Sequence, residues 1–351
     1  MTFTISSVKN KLLVLFLLVA GLYIAKGFLI PMTIGGIFAT LLLPMSKWME
    51  KKGVPRFLSV FICLLILLSV IAFIGILLGY QISVLSDDIG LLKEKFKLTV
   101  SGIQQFIFQY LDITLKEQSK IIEQEQPSLS NIMQIIAGSF TLILTNFILV
   151  LAYIFLFLYY RSHLLQFMLK LTTPSQRDEM EQVIYRASHV SQQYLLGLSK
   201  MIACLWIMYG IGFSILGVKN ALFFAFLCGL FEIIPFVGNI TGTSLTVLVS
   251  AVQGASLAIL GGIVLTYGTV QFIQGWVLEP LILGPQVRIN PFATIIALVL
   301  GGLLWGIPGV FLAIPLTAII KIVCDHIESL TPFGFLIGEV TSSKSKKNKF
   351  S

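Results

Sequence analysis

The sequence predicts an all-α, polytopic integral membrane protein of about eight transmembrane or re-entrant helices, with broken helices in its C-terminal half. Three observations predict it. Of 351 residues, 56% are hydrophobic and 11% charged, against about 25% charged in an ordinary soluble domain. The mean hydropathy is +0.94. The apolar runs of the last third are interrupted by EIIPFVGNITG at 232–242, LEPLILGPQVRINP at 278–291 and WGIPGVFLAIP at 305–315. Hydrocarbon tolerates such Pro and Gly breaks only where protein or a wet cavity covers the freed backbone groups, as at the binding sites of transporters.

The elements follow in order. Lys9 and Lys11 precede an apolar run at 12–25, short of the ~20 residues that cross a bilayer. With no small-residue cleavage site after it, this run reads as retained. A second run, 28–43, ends at Pro44, so the two are expected to make a tight helical hairpin. The run 57–85 is long enough to cross with tilt, and Gly75 and Gly79 give it a small-residue packing face. Together these form a first region, 1–85. Residues 86–131 are an extracytoplasmic insert, since 86–130 hold seven acidic residues and five lysines. Within it Ile89, Leu92, Phe96, Val100, Ile103 and Ile107 recur at helical spacing, so the insert reads as an amphipathic helix docking on a partner surface.

A further span covers 132–160. It is followed at 161–200 by a polar amphipathic link on the cytoplasmic side, in which Met180, Val183, Ala187, Val190 and Tyr194 keep helical spacing. The C-terminal bundle, 201–330, contains spans at 201–216, at 221–250 broken over 235–238, at 255–278, and at 292–323 broken at Pro308. Residues 331–351 form a basic cytoplasmic tail, read first as a plain orientation signal and second as a segment that could touch anionic lipid. Most of the 24 Lys and Arg fall on the side of both termini, which the positive-inside rule assigns to the cytoplasm. Whether 221–250 crosses the bilayer or dips and returns stays open, because both options bury the same residues.

The chemistry narrows quickly. Cys63, Cys204, Cys228 and Cys324 are scattered on apolar segments and read as buried thiols, with no disulfide or zinc spacing. His163, His189 and His326 are isolated, and no hydrolase, phosphate-loop or metalloprotease motif is present. The chain is therefore expected to be no enzyme, to carry no cofactor or metal, and to bind no nucleic acid. Any transport should be secondary.

The charges within lipid-depth sequence are Glu232, Glu279, Arg288 and, near a helix end, Lys219. Each costs about 2.5–3.5 kcal/mol to insert, which makes each a functional candidate. Glu232 precedes Pro235 at the C-terminal end of a half-helix, where helix-end carbonyls and a carboxylate suit a cation or a proton. It could equally serve only the broken backbone around Pro235 and Gly238. Glu279, next to Pro280, and Arg288 flank a short loop and could pair across it, as a staple or as a gate. Asn239, Gln271, Gln274 and Asn290, the last before Pro291, add neutral hydrogen-bonding groups suited to a polyol, although amides also cross-link helices.

On these residues the C-terminal half resembles the autoinducer-2 exporter family of bacterial membrane proteins. The likeness rests on PFVG (235–238), VQFIQGWVLEPLILG (270–284) and INPFATIIALVLGGLLWGIPGVFLAIPL (289–316), in that order. It is strong from about residue 221 onward, while the architecture matches over the whole chain. The resemblance implies seven or eight spans in the bacterial inner membrane and a homo-oligomer. It also implies secondary transport, of a furanosyl quorum signal in some members and of sodium or lithium against protons in others. It places Glu232, Pro235, Gly238, Gln271, Glu279, Pro280, Gly284 and Pro291 at motif positions. Phe236 stands where many members have Tyr and Asn290 where many have His, so neither substrate nor proton coupling carries over.

Three readings follow. The chain is an exporter of a small polar organic solute, a sodium or lithium/proton antiporter working through Glu232 or Glu279, or a membrane scaffold whose insert is the working surface. Its partners are then a small molecule or a monovalent cation, the lipid bilayer and further copies of itself.

Overall fold

A computed structural model describes residues 5–86, 129–235, 237–284 and 288–339. The expected insert helix, Phe236 and the end of the basic tail lie outside these residues. Every regular element described is helical; the only strand-like pairing among described residues is an isolated bridge between Ile289 and Gly338. Among the described residues five helices are long and apolar enough to span a membrane, and a bent pair makes a sixth if it is one span.

Helix α1 (Ile5–Ile24) meets α2 (Lys26–Lys51) at the single residue Ala25. The expected hairpin is not formed. Ala25 N–H still bonds Gly21 O and Leu29 N–H bonds Ala25 O, so helical bonding passes through the joint and leaves a bend. Nor does Pro44 end the second helix, since α2 carries both Pro31 and Pro44 inside it. Helix α3 (Arg56–Ser86) and α4 (Leu129–Tyr159) pack on α2. At Tyr160 a joint with φ −89° and ψ 9°, close to the −82° and 10° of Ala25, turns the chain by 69° into α5 (Arg161–Lys170). The exposed Leu164, Phe167 and Met168 of α5 suit a helix lying in the membrane interface.

The joint is stapled. Arg161 donates to Glu50 with both terminal nitrogens, one bond at 2.9 Å, and to Ser46 Oγ at 3.4 Å. Arg56 stands 3.8 Å from the same carboxylate and donates to Tyr159 O. Charges expected only to orient the chain thus also tie α2, α3 and the α4–α5 bend together.

Helix α6 (Arg177–Ile215) runs through the expected boundary at 200/201 as one element of 39 residues. Ser191, Tyr194, Leu195, Leu198 and Met201 bury one face of it across that boundary, and burial overrides the polar composition of the link. Helix α7 (Ala221–Phe231) and α8 (Val237–Val252) then fold back on one another. Gly238 lies against the Phe231 carbonyl, and Cys228 lies against both Gly242 and Thr246. The rising residue numbers of one helix thus meet the falling numbers of the other, as in a hairpin. Lengths of 11 and 16 residues, about 16 and 24 Å, make this a re-entrant pair, not one span.

Helix α9 (Leu257–Ile273) descends antiparallel to α6, with Gly262 on Leu216 and Gly212 on Thr266. It passes through a π turn (Gln274–Leu278) into the short α10 (Glu279–Ile282). Helix α11 (Pro291–Trp305) and α12 (Ile307–His326) form a second hairpin, with Gly301 packed on Gly309 and Gly302 on Val310. The reversal falls at Gly306, where φ is 64°, a conformation that glycine adopts without steric cost. It does not fall at Pro308, which sits harmlessly in the first turn of α12. Trp305 at this tip donates to Leu22 O at 3.0 Å. A short α13 (Thr331–Ile337) closes the described chain.

Candidate functional site

The re-entrant hairpin delivers Glu232 to the interior. Glu232 caps the C-terminal end of α7 and is 7% exposed. The carbonyls expected beside it are already bonded: Gly229, Leu230 and Phe231 accept from the N–H groups of Glu232, Ile233 and Ile234. Pro235 turns the chain, and Gly238 lets α8 start flush against the Phe231 carbonyl, where a Cβ has no space.

Side-chain amides, not backbone, receive the carboxylate. Gln274 Nε2 donates to Glu232 Oε1 at 2.6 Å, and Asn239 Nδ2 donates to Glu232 Oε2. Asn239 Nδ2 also reaches Gln274 Oε1 at 3.2 Å, and Gln271 Nε2 donates to that same oxygen at 3.3 Å. Asn239 and Gln274 are 2% and 3% exposed. Gln274 N–H still bonds Val270 O in α-helical spacing; the π turn that opens there carries Glu279, whose N–H bonds Gln274 O, and such turns gather at functional sites.

Around this cluster stand Tyr194 and Tyr209 of α6, Tyr267 of α9 and the second acid, Glu279. Glu279 faces the surface yet lies beside Gln274. Glu232 is bonded by Gln274 and Asn239 and feels the charge of Glu279, and among the described residues no cationic side chain is paired with it. A lone buried carboxylate is stable only when protonated, or when a cation sits with it. The oxygens of Glu232, Gln274 and Asn239 suit a hard alkali cation, and among described residues no group of three or more His, Cys, Asp or Glu offers a transition-metal site.

The remaining candidates separate from this centre. No ion pair joins Glu279 to Arg288; among the described residues Glu279 has Gln274 beside it, and Arg288 sits in the chain at φ 47°. Asn290 is structural. Its Oδ1 caps α11 through Ala293 N–H at 2.8 Å, and its Nδ2 donates to Leu336 O and Gly338 O, strapping α13 to the loop. Pro291 and Pro280 occupy first-turn positions of α11 and α10, where a missing N–H is harmless. Gly284 lies two residues past Ile282, the last residue of α10. Sequence reasoning missed the three tyrosines and the buried hydroxyls of α8. The latter have a signal: Asn239, Thr243, Thr246 and Ser250 are spaced by four, three and four along an apolar helix.

A polytopic helical bundle whose folded-back hairpin carries an acid to its interior has the architecture that membrane transporters use to place their sites. The chain belongs to the AI-2E family of transporters, whose profile matches residues 12–329. It is similar to YrrI of Bacillus subtilis, 25% identical over 86% of this chain and 87% of that protein. A Borreliella burgdorferi protein is 26% identical over 95% and 91% of the two chains, and YueF of B. subtilis 28% over 83% and 82%. All three are provisionally described as transport proteins.

Proposed function

We propose that this protein is a secondary transporter in the bacterial cytoplasmic membrane in which Glu232 exchanges a proton for a sodium or lithium ion. One observation carries the reading: Glu232 is buried at the tip of a re-entrant hairpin, held by two amide donors and, among the described residues, opposed by no cation. Occupancy by either a proton or a cation neutralises it, and exclusive occupancy couples the two fluxes. Glu279, exposed and adjacent, is the group through which ions approach or leave. The excess of Lys and Arg on one side supports cytoplasmic termini. No chemical step belongs to this cycle.

Export of a polar organic solute is the weaker alternative, because, of the amides expected to read its hydroxyls, Asn239 and Gln274 are engaged with Glu232, Gln271 with Gln274, and Asn290 caps a helix. The test is flux in sealed vesicles under an imposed sodium gradient. Wild type should acidify or alkalinise the lumen as sodium moves, Glu232→Gln should abolish the response, and Glu279→Gln should slow it. A silent wild type that instead shows counterflow of a polyol would restore the exporter.

A further inference from the structure

Glu232 needs a route to water, and α8 carries a line of polar groups that leads away from it. Asn239, Thr243, Thr246 and Ser250 share one face of the helix and are all buried. They extend over about 16 Å, from the carboxylate to within two residues of the end of α8, where the 253–256 connection begins. Asn239 Oδ1 and Ser250 Oγ have no hydrogen-bond partner, and Thr243 Oγ1 and the Tyr209 hydroxyl have none of good geometry, Thr243 resting near Cys228 and Tyr209 of α6 near Gln271 and Cys228. The fourth residue, Thr246, donates to Gly242 O at 2.8 Å and stands 3.9 Å from Cys228 Sγ. Buried hydroxyls are almost always partnered. Two such hydroxyls, Thr243 and Ser250, and the Asn239 amide oxygen lie on a single face that ends on a buried acid, the placement expected of groups that meet water or an ion.

We infer that the Asn239–Thr243–Ser250 face of α8, with Tyr209 opposite, is the access route by which protons or small monovalent cations move between Glu232 and the membrane face bearing the 217–220 and 253–256 connections. This rests on the reading of Glu232 as the exchanging group. The stripe's chemistry fits such cargo: it offers neutral oxygens and no fixed charge, so an ion would pass along it without being trapped.

The test uses full-length single-cysteine proteins in vesicles, with the thiol at native Cys228, at Ser250→Cys, or at the lipid-facing Leu248→Cys (Leu248 is 64% exposed). The probe is a small, water-soluble cationic methanethiosulfonate. Because only a hydrated thiol ionises to react, Cys228 and Ser250→Cys should be modified at least about tenfold faster than Leu248→Cys. Equal, slow rates at all three would overturn the route. Independently, Thr243→Val should slow coupled flux about tenfold and Thr243→Ser should restore it; unchanged flux in Thr243→Val would also overturn the route. Fast labelling without Glu232-dependent flux would keep the route and refute the exchange reading. Glu232-dependent flux with inert thiols would do the reverse.

Discussion

At the scale of single residues, what distinguishes Glu232 from the other acids is its set of partners. Glu50 is also tucked among helices, but two arginines answer it, and its work is mechanical. Replacing Arg161 by Ala removes a bidentate charged pair and should lower stability by about 2 kcal/mol, read as a fall in thermal midpoint with transport per folded molecule retained. Asn239→Leu removes two donated bonds around a buried acid and should impair ion exchange while the protein remains folded, measurable as reduced sodium-driven flux. Asn290→Ala should cost about 1 kcal/mol through loss of the cap and leave the ion dependence of flux unchanged. Glu232, Gln271 and Gln274 are each legible as candidates because each lies at or beside a Pro or Gly break in otherwise apolar sequence, but that Glu232 meets the two amides is not, since they lie 39 and 42 residues from it. Asn290 was misread for a physical reason: a capping amide and a ligand-binding amide look alike until the neighbouring N–H groups are placed. The Asn-Pro pair at 290–291 was nevertheless a helix-start signal.

At the scale of elements, the site depends on two irregularities. The hairpin tip requires close approach at Gly238, so Gly238→Ala should destabilise the hairpin by more than about 2 kcal/mol through overpacking, visible as poor recovery of folded protein. The π turn sets Glu279 and α10 relative to Gln274. Deleting Gly275 would restore α-helical spacing and rotate the following residues by about 100°. The deletion should uncouple flux without unfolding the bundle, which a thermal melt alongside the flux assay distinguishes. Sequence located both broken segments but not their direction. A Pro or Gly break marks an interruption, whereas reversal is decided by which faces then pack, and the apolar residues of α7, α8, α11 and α12 satisfy either path. The same limit explains the boundary drawn inside α6, where polar composition ended but helical burial continued.

At the scale of the whole molecule, two folded-back helix pairs, α7–α8 and α11–α12, pack with α6 as the long central element, and the first pair carries the acid. All-helical membrane architecture was fully legible, since composition and run lengths dictate it. The coupling that this architecture supports can be read without vesicles, because cation binding to a protonated carboxylate must release the proton. The decisive measurement is proton release on adding sodium chloride to weakly buffered, detergent-solubilised protein. Wild type should release about one proton per chain as the cation takes its place, and Glu232→Gln should release none. No release from well-folded wild type, or release undiminished in Glu232→Gln, would contradict the assignment of Glu232 as the exchanging group.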